Sequence, residues 1–118
     1  MKQRRYERFA AKKETWVALF LSRHDAAPYI IGQLVDASRG GIAFNYAVLH
    51  RSLEAHIHAS CNFMLKKQAD ASVFSGTMAS AIIYDISICD KDFYALWIRR
   101  CGLKLRDVLQ LATLQEYI

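Results

Sequence analysis

From Thr15 to Arg100 the chain falls into short segments rich in apolar, aromatic and β-branched residues, separated by polar or glycine-containing stretches, the pattern of β-strands and turns. Thr15 to Ser22, rich in aromatic and β-branched residues, predicts a first strand, and the polar stretch Arg23 to Pro28 a turn before a second strand, Tyr29 to Ala37. Arg39-Gly40-Gly41 predicts a hairpin turn, its glycines able to take the positive φ values such turns demand, with Ile42 to Tyr46 returning as a third strand. Ala47 to Glu54 suits a short helical turn. Beyond it Ile57, Ala59, Cys61, Phe63 and Leu65 alternate with His56, His58, Ser60, Asn62 and Met64, the pattern of a half-buried strand. Val73 to Ile88 predicts a longer strand bent near Gly76, and Phe93 to Arg100 a last one after the turn Asp90-Lys91-Asp92. After Gly102 the period changes. Leu105, Val108, Leu109 and Ala112 fall on one helical face, widened by Leu111, Leu114 and Ile118. The prediction is a mostly β fold: a small antiparallel six-stranded β-barrel with a C-terminal α-helix over about residues 103–118.

A chain of 118 residues, 53% hydrophobic, with five Gly and one Pro, has the size and composition of one globular domain. Charge divides it in two. Met1 to Lys13 carries Lys2, Arg4, Arg5, Arg8, Lys12 and Lys13 against Glu7 alone, and so holds the whole net charge of +5. The organisation expected is a flexible basic arm, 1–13, and a neutral barrel with its helix, 14–118. A cationic arm on a neutral body suits a local anion site better than a broad face for duplex DNA. The longest apolar run, Trp16 to Leu21, is far short of the roughly 20 residues that cross a bilayer, and the arm has no apolar centre of a signal peptide. A cytoplasmic protein without membrane insertion is expected.

Other chemistry finds little support. Cys61, Cys89 and Cys101 are odd in number and lack Cys-x-x-Cys spacing, so buried thiols are expected rather than disulfides or a zinc knuckle. His56 and His58 share a strand face, but no neighbouring carboxylate or Cys pair completes a tetrahedral set, and no metal or other cofactor is predicted. Ser38, Asp36 and a histidine lack a nucleophile elbow, so no enzyme is predicted.

Two short patterns remain. Arg4 and Arg8 can each donate a planar fork to phosphate or to the O6/N7 edge of guanine, and can stack on a base. In Asp36-Ala37-Ser38-Arg39-Gly40-Gly41, strand geometry carried through Ser38 would project Asp36 and Ser38 to one side, beside a turn whose glycines let backbone approach closely. The carboxylate can accept from guanine N1 and N2, and the hydroxyl can serve phosphate or base. Each pattern alone also describes a solvated tail or an ordinary turn.

Arg4-Arg5-Tyr6-Glu7-Arg8, a strand near Trp16, and Asp36-x-Ser38-x-x-Gly41 closing the second strand make the sequence resemble the PilZ family, with the strand order and terminal helix extending the likeness over nearly the whole chain. The resemblance implies a receptor for the bacterial second messenger cyclic di-GMP. It implies that Arg4 and Arg8 wrap over the ligand, that Asp36 and Ser38 hold a guanine from the barrel side, and that Gly41, assisted by Gly40, keeps the turn. Arg5 lies within reach. Gln3, standing just before the first motif arginine, leans towards one bound molecule rather than a stacked pair. Tyr84, or behind it Trp97, is the candidate to stack on a guanine. The last strand, reading Ala95-Leu96-Trp97-Ile98, departs from the Gly-x-x-Phe expected there. The expected mechanism is ordering of the arm on the ligand, which creates a surface for a downstream protein or a second subunit in a homodimer. The rivals are a PilZ-like adaptor that binds no ligand and a small barrel that binds single-stranded nucleic acid.

Overall fold

In the computed structural model the described residues are 5–12, 14–22, 24–48, 61–68, 72–91 and 94–118, with the backbone alone described at 48, 85, 87–91 and 94–97. Seven antiparallel strands and one short helix follow one another: β1 (Phe9–Ala10), β2 (Thr15–Phe20), β3 (Ile30–Ala37), β4 (Gly41–Val48), β5 (Asn62–Lys67), β6 (Val73–Lys91), β7 (Tyr94–Leu105) and α1 (Leu111–Tyr117). The sheet runs β3-β2-β5-β6-β7-β4, and β4 pairs back onto β3, closing the predicted six-stranded barrel. β1 is an addition. It pairs Phe9 with Ala37 and Ala10 with Asp36, on the same edge of β3 that β2 occupies further along. The end of the basic arm is therefore part of the sheet.

The period-two pattern explains the core. Thr15, Val17 and Leu19 of β2 point inward while Trp16 is exposed, and Cys61, Phe63 and Leu65 are buried as the alternation requires. Cys61 and Cys101 are buried, as expected. In β3 the alternation is deliberately broken. Ile30 and Leu34 point inward, and an unbroken pleat would send Asp36 in after them, at a large cost for a carboxylate. The register with β4 shifts between Leu34 and Asp36, so Val35 forms a bulge. Ala37 then takes the inward place and Asp36 stays half-buried on the outside.

Several expectations change. β6 pairs with β5 in unbroken register through Gly76, and its register against β7 shifts just beyond, between Met78 and Ser80. A Cβ on Gly76 would stand 2.6 Å from the Phe63 ring, so glycine there makes room for that side chain. Neither Gly40 nor Gly41 adopts a left-handed backbone, and both serve close approach instead. Residues 47 and 48 belong to β4 rather than to a helical turn, and the rest of 47–54 lies outside the described residues, as do His56 and His58.

The helix predicted over about 103–118 is the main correction. β7 continues to Leu105, with Cys101, Leu103 and Leu105 buried and Lys104 exposed, a strand period that competes successfully with the helical one. α1 is seven residues long and has no side-chain cap. Burial holds it instead: Leu114 and Tyr117 pack into the core, and the Thr15 hydroxyl donates to the Tyr117 carbonyl at 2.9 Å. Val108, Leu111 and Ala112, which their spacing puts on the apolar helical face, are exposed. Among the described residues no helix is long and apolar enough to cross a membrane.

Candidate functional site

The β3–β4 turn is built by its own sequence. The Ser38 hydroxyl accepts from the Gly41 N–H at 3.1 Å and lies 3.3 Å from the Gly41 carbonyl, which also accepts from the Ser38 N–H at 2.7 Å. Neighbouring chain then clamps it. The Gly40 carbonyl accepts from Leu105 N–H at 2.9 Å, and the Arg39 carbonyl from Leu109 N–H at 2.7 Å. The Arg39 guanidinium returns the contact, donating from Nε to the Leu109 carbonyl at 2.8 Å. The turn is thus fixed to the end of β7 and the segment that follows it.

The arm lies against this turn. Arg8 Nε donates to Asp36 Oδ1 at 2.9 Å, an ion pair that joins residues 28 apart in sequence and sits at the first rungs of the β1–β3 pairing. The bulge at Val35 is what leaves Asp36 available for it. With Nε held, the terminal nitrogens of Arg8 reach over the turn, and Nη1 is 3.7 Å from where a Gly41 Cβ would be. A Cβ on Gly40 would come within 2.9 Å of the Tyr6 ring, so glycine lets that ring settle on the turn. The guanidinium groups of Arg5 and Arg39 stand 5.5 and 5.6 Å from the centre of the same ring, within cation–π range.

Arm, turn and barrel enclose a cleft of about 720 Å³. Arg5, Tyr6 and Arg8 of the arm line it with Gly40 and Gly41 of the turn, together with Ser80, Ile82 and Tyr84 of β6. Gly102 and Lys104 of β7, with Arg106 just beyond, complete the lining. Its volume suits a small organic ligand, and its lining combines apolar surface with cations from both arm and barrel.

Of the residues singled out from sequence, Arg5, Arg8, Gly40, Gly41 and Tyr84 are brought together at this cleft. Asp36 stands behind Arg8. Ser38 is buried in the turn, its hydroxyl engaged with Gly41. Arg4 and the Trp97 side chain lie outside the described residues. Tyr6, Ile82, Gly102, Lys104 and Arg106 were missed. Extending the last strand to Leu105 would have found Gly102 and Lys104, which share its outward period. A second groove of about 460 Å³ lies on the outer face of β2, β3, β5 and β6, lined by Trp16, Ala18, Ile31, Met64, Lys66 and Val73, and offers almost no polar group for a nucleotide.

No family model matches the sequence, and no curated protein matches it. Among solved structures the chain is similar to the PilZ domain of YcgR from Escherichia coli, whose structure contains c-di-GMP, with a TM-score of 0.56, 15% identity, and coverage of 98% of this chain and 86% of that one. At that identity the likeness is one of fold: the chain has a PilZ-like fold.

Proposed function

We propose that the chain is a non-catalytic receptor that binds cyclic di-GMP in the cleft between arm and barrel. The observation that carries this reading is the Arg8–Asp36 pair, which sets a guanidinium over the Gly40-Gly41 turn in a cleft lined by further cations. A cyclic dinucleotide presents two phosphodiester anions and two purine rings. Arg5 and Arg8 supply forked donors for phosphate or for the guanine Hoogsteen edge, and Arg4, preceding them, extends the same grip. Asp36 has a second carboxylate oxygen for guanine N1 and N2 and also orients Arg8. Ser38 and Gly41 hold the turn that forms the barrel side. Tyr84, 48% exposed at the cleft, offers a face for stacking.

The signal passes on through the arm. The strand Phe9–Ala10 and the Arg8–Asp36 pair hold the end of the arm against the barrel, so a ligand bound between them ties arm and barrel into one surface that a downstream protein in the cytoplasm reads.

Isothermal titration of the wild type with cyclic di-GMP, alongside Arg8→Ala and Asp36→Ala, tests the assignment, with cyclic di-AMP as the control for base recognition. The expected result is saturable binding that discriminates guanine from adenine and weakens at least about tenfold in each variant, as loss of a charge-assisted hydrogen bond implies. A wild type that binds no more tightly than the variants overturns it.

A further inference from the structure

Four of the chain's five glycines are explained by the chain itself. A Cβ would collide with the Asn45 carbonyl oxygen at Gly32, and would come within 2.9 Å of Tyr6 at Gly40, 2.8 Å of the Leu103 carbonyl oxygen at Gly41 and 2.6 Å of Phe63 at Gly76. Gly102 is different. The nearest atom to a Cβ there is the Ile82 carbonyl oxygen at 3.9 Å, an ordinary contact, and its backbone is not left-handed. It lies well inside β7, where glycine weakens a strand and commonly marks the approach of a ligand or another backbone. Its missing side chain would point into the cleft: Cys101 and Leu103 on either side point inward and are buried, and Gly102 is among the residues that line the cleft.

The neighbours describe what fits. Gly102 pairs with Ile82 on β6 and Ala43 on β4, and two residues to either side, on the same face, Lys104 pairs with Gly41 and Arg100 with Tyr84. At Gly102 the cleft therefore meets bare backbone, bordered on β6 by Ile82, 71% exposed, and Tyr84, with Lys104 at one end. The Arg8 guanidinium stands over Gly41, at that same end. A flat shelf edged by apolar and aromatic side chains, with two cations gathered at one end, matches a planar heterocycle carrying phosphate.

We infer that Gly102 is the seat of one purine ring of the bound nucleotide, kept flat by the absence of a side chain, with Lys104 receiving the phosphate attached to it. This rests on the nucleotide-receptor reading above and adds a recognition residue on the last strand.

The test is a side-chain ladder, Gly102→Ala, Gly102→Val and Gly102→Leu, titrated with cyclic di-GMP and followed by thermal unfolding. Binding should fall with side-chain size, by a few fold for alanine and by a hundredfold or more for leucine, while Tm stays level or rises because the Cβ makes only an ordinary contact, with the Ile82 carbonyl oxygen. Gly41→Ala, whose Cβ would meet the Leu103 carbonyl, should lower Tm and serves as the contrast. If the wild type binds and Gly102→Leu binds equally well, the shelf is refuted and the receptor reading stands. A wild type that does not bind refutes both. A Tm that falls steeply at alanine refutes the claim that internal packing leaves the glycine unexplained.

Discussion

The ion pair between Arg8 and Asp36 can be tested as a coupling energy before any ligand is added. A hydrogen bond to a charged group contributes about 1.5–3 kcal/mol when shielded from water, whereas an exposed ion pair contributes about 0.2–1 kcal/mol. Here the side chains keep 26% and 31% of their exposure and the contact is a single Nε–Oδ1 bond, not a bidentate fork. Solvent screening then places the coupling near the top of the exposed range, about 1 kcal/mol. Equilibrium urea unfolding of the wild type, Arg8→Ala, Asp36→Ala and the double variant measures it directly. With a slope of about 2 kcal/mol per molar urea, the double variant should lose roughly 0.5 M less in midpoint than the two single losses predict. The coupling should shrink in 1 M salt. Additivity within about 0.3 kcal/mol would show that the pair does not fix the arm to the barrel, and the argument that the bulge at Val35 exists to present Asp36 to Arg8 would fail with it. The same four proteins titrated with cyclic di-GMP separate the roles of Asp36: it should matter less once Arg8 is gone, because part of its effect is to aim that guanidinium.

Three further outcomes follow from the geometry. Gly41→Ala should destabilise by about 1–3 kcal/mol in urea or thermal unfolding, the usual cost of overpacking, because its Cβ would sit 2.8 Å from the Leu103 carbonyl oxygen; unchanged stability would show that β4 and β7 can separate freely at that rung. Ser38→Ala removes the acceptor of the buried Gly41 N–H and should cost about 1–3 kcal/mol, with a smaller effect on ligand affinity than on stability; the reverse order would mean that the hydroxyl leaves the turn to meet the ligand. Tyr84→Ala should change stability by no more than about 0.5 kcal/mol, since the ring is half exposed, yet weaken cyclic di-GMP by about tenfold or more, the worth of one base–aromatic stack; unaltered affinity would remove it from the site.

Where hydrophobic alternation met no competing pattern, the strands were legible: Val17 and Leu19, or Phe63 and Leu65, alternate with outward residues and lie where that pattern puts them. The hairpin around Gly40 was equally legible, although its glycines serve contact rather than backbone sign. The last strand was misjudged because 101–118 satisfies two periods at once. Leu105 and Leu109 fit a helical face, while Cys101, Leu103 and Leu105 fit a strand, and the outcome depended on β4 and β6 being available as partners, which no local pattern reports. That one error hid Gly102 and Lys104, and so the part of the cleft that β7 lines. Asp36 was found as a residue type, but its position depends on a bulge. Counted by alternation from Ile30 and Leu34 it belongs inside the barrel, and only the register against β4 brings it out.

The charge distribution looks different once the strands are closed. By sequence the barrel nets to zero and the arm carries all of the excess, which makes recognition look one-sided. Folding sorts the barrel's charges by place, and Lys104 and Arg106 line the same cleft as Arg5 and Arg8. Net neutrality of the body therefore conceals a local cationic cluster. Cations gathered at one cleft suit a compact ligand that carries two anions. A long single strand would instead follow one continuous basic track. Affinity for the compact ligand should accordingly vary less with salt than affinity for a single-stranded oligonucleotide, and a steeper salt dependence for cyclic di-GMP than for the oligonucleotide would contradict the local-site reading.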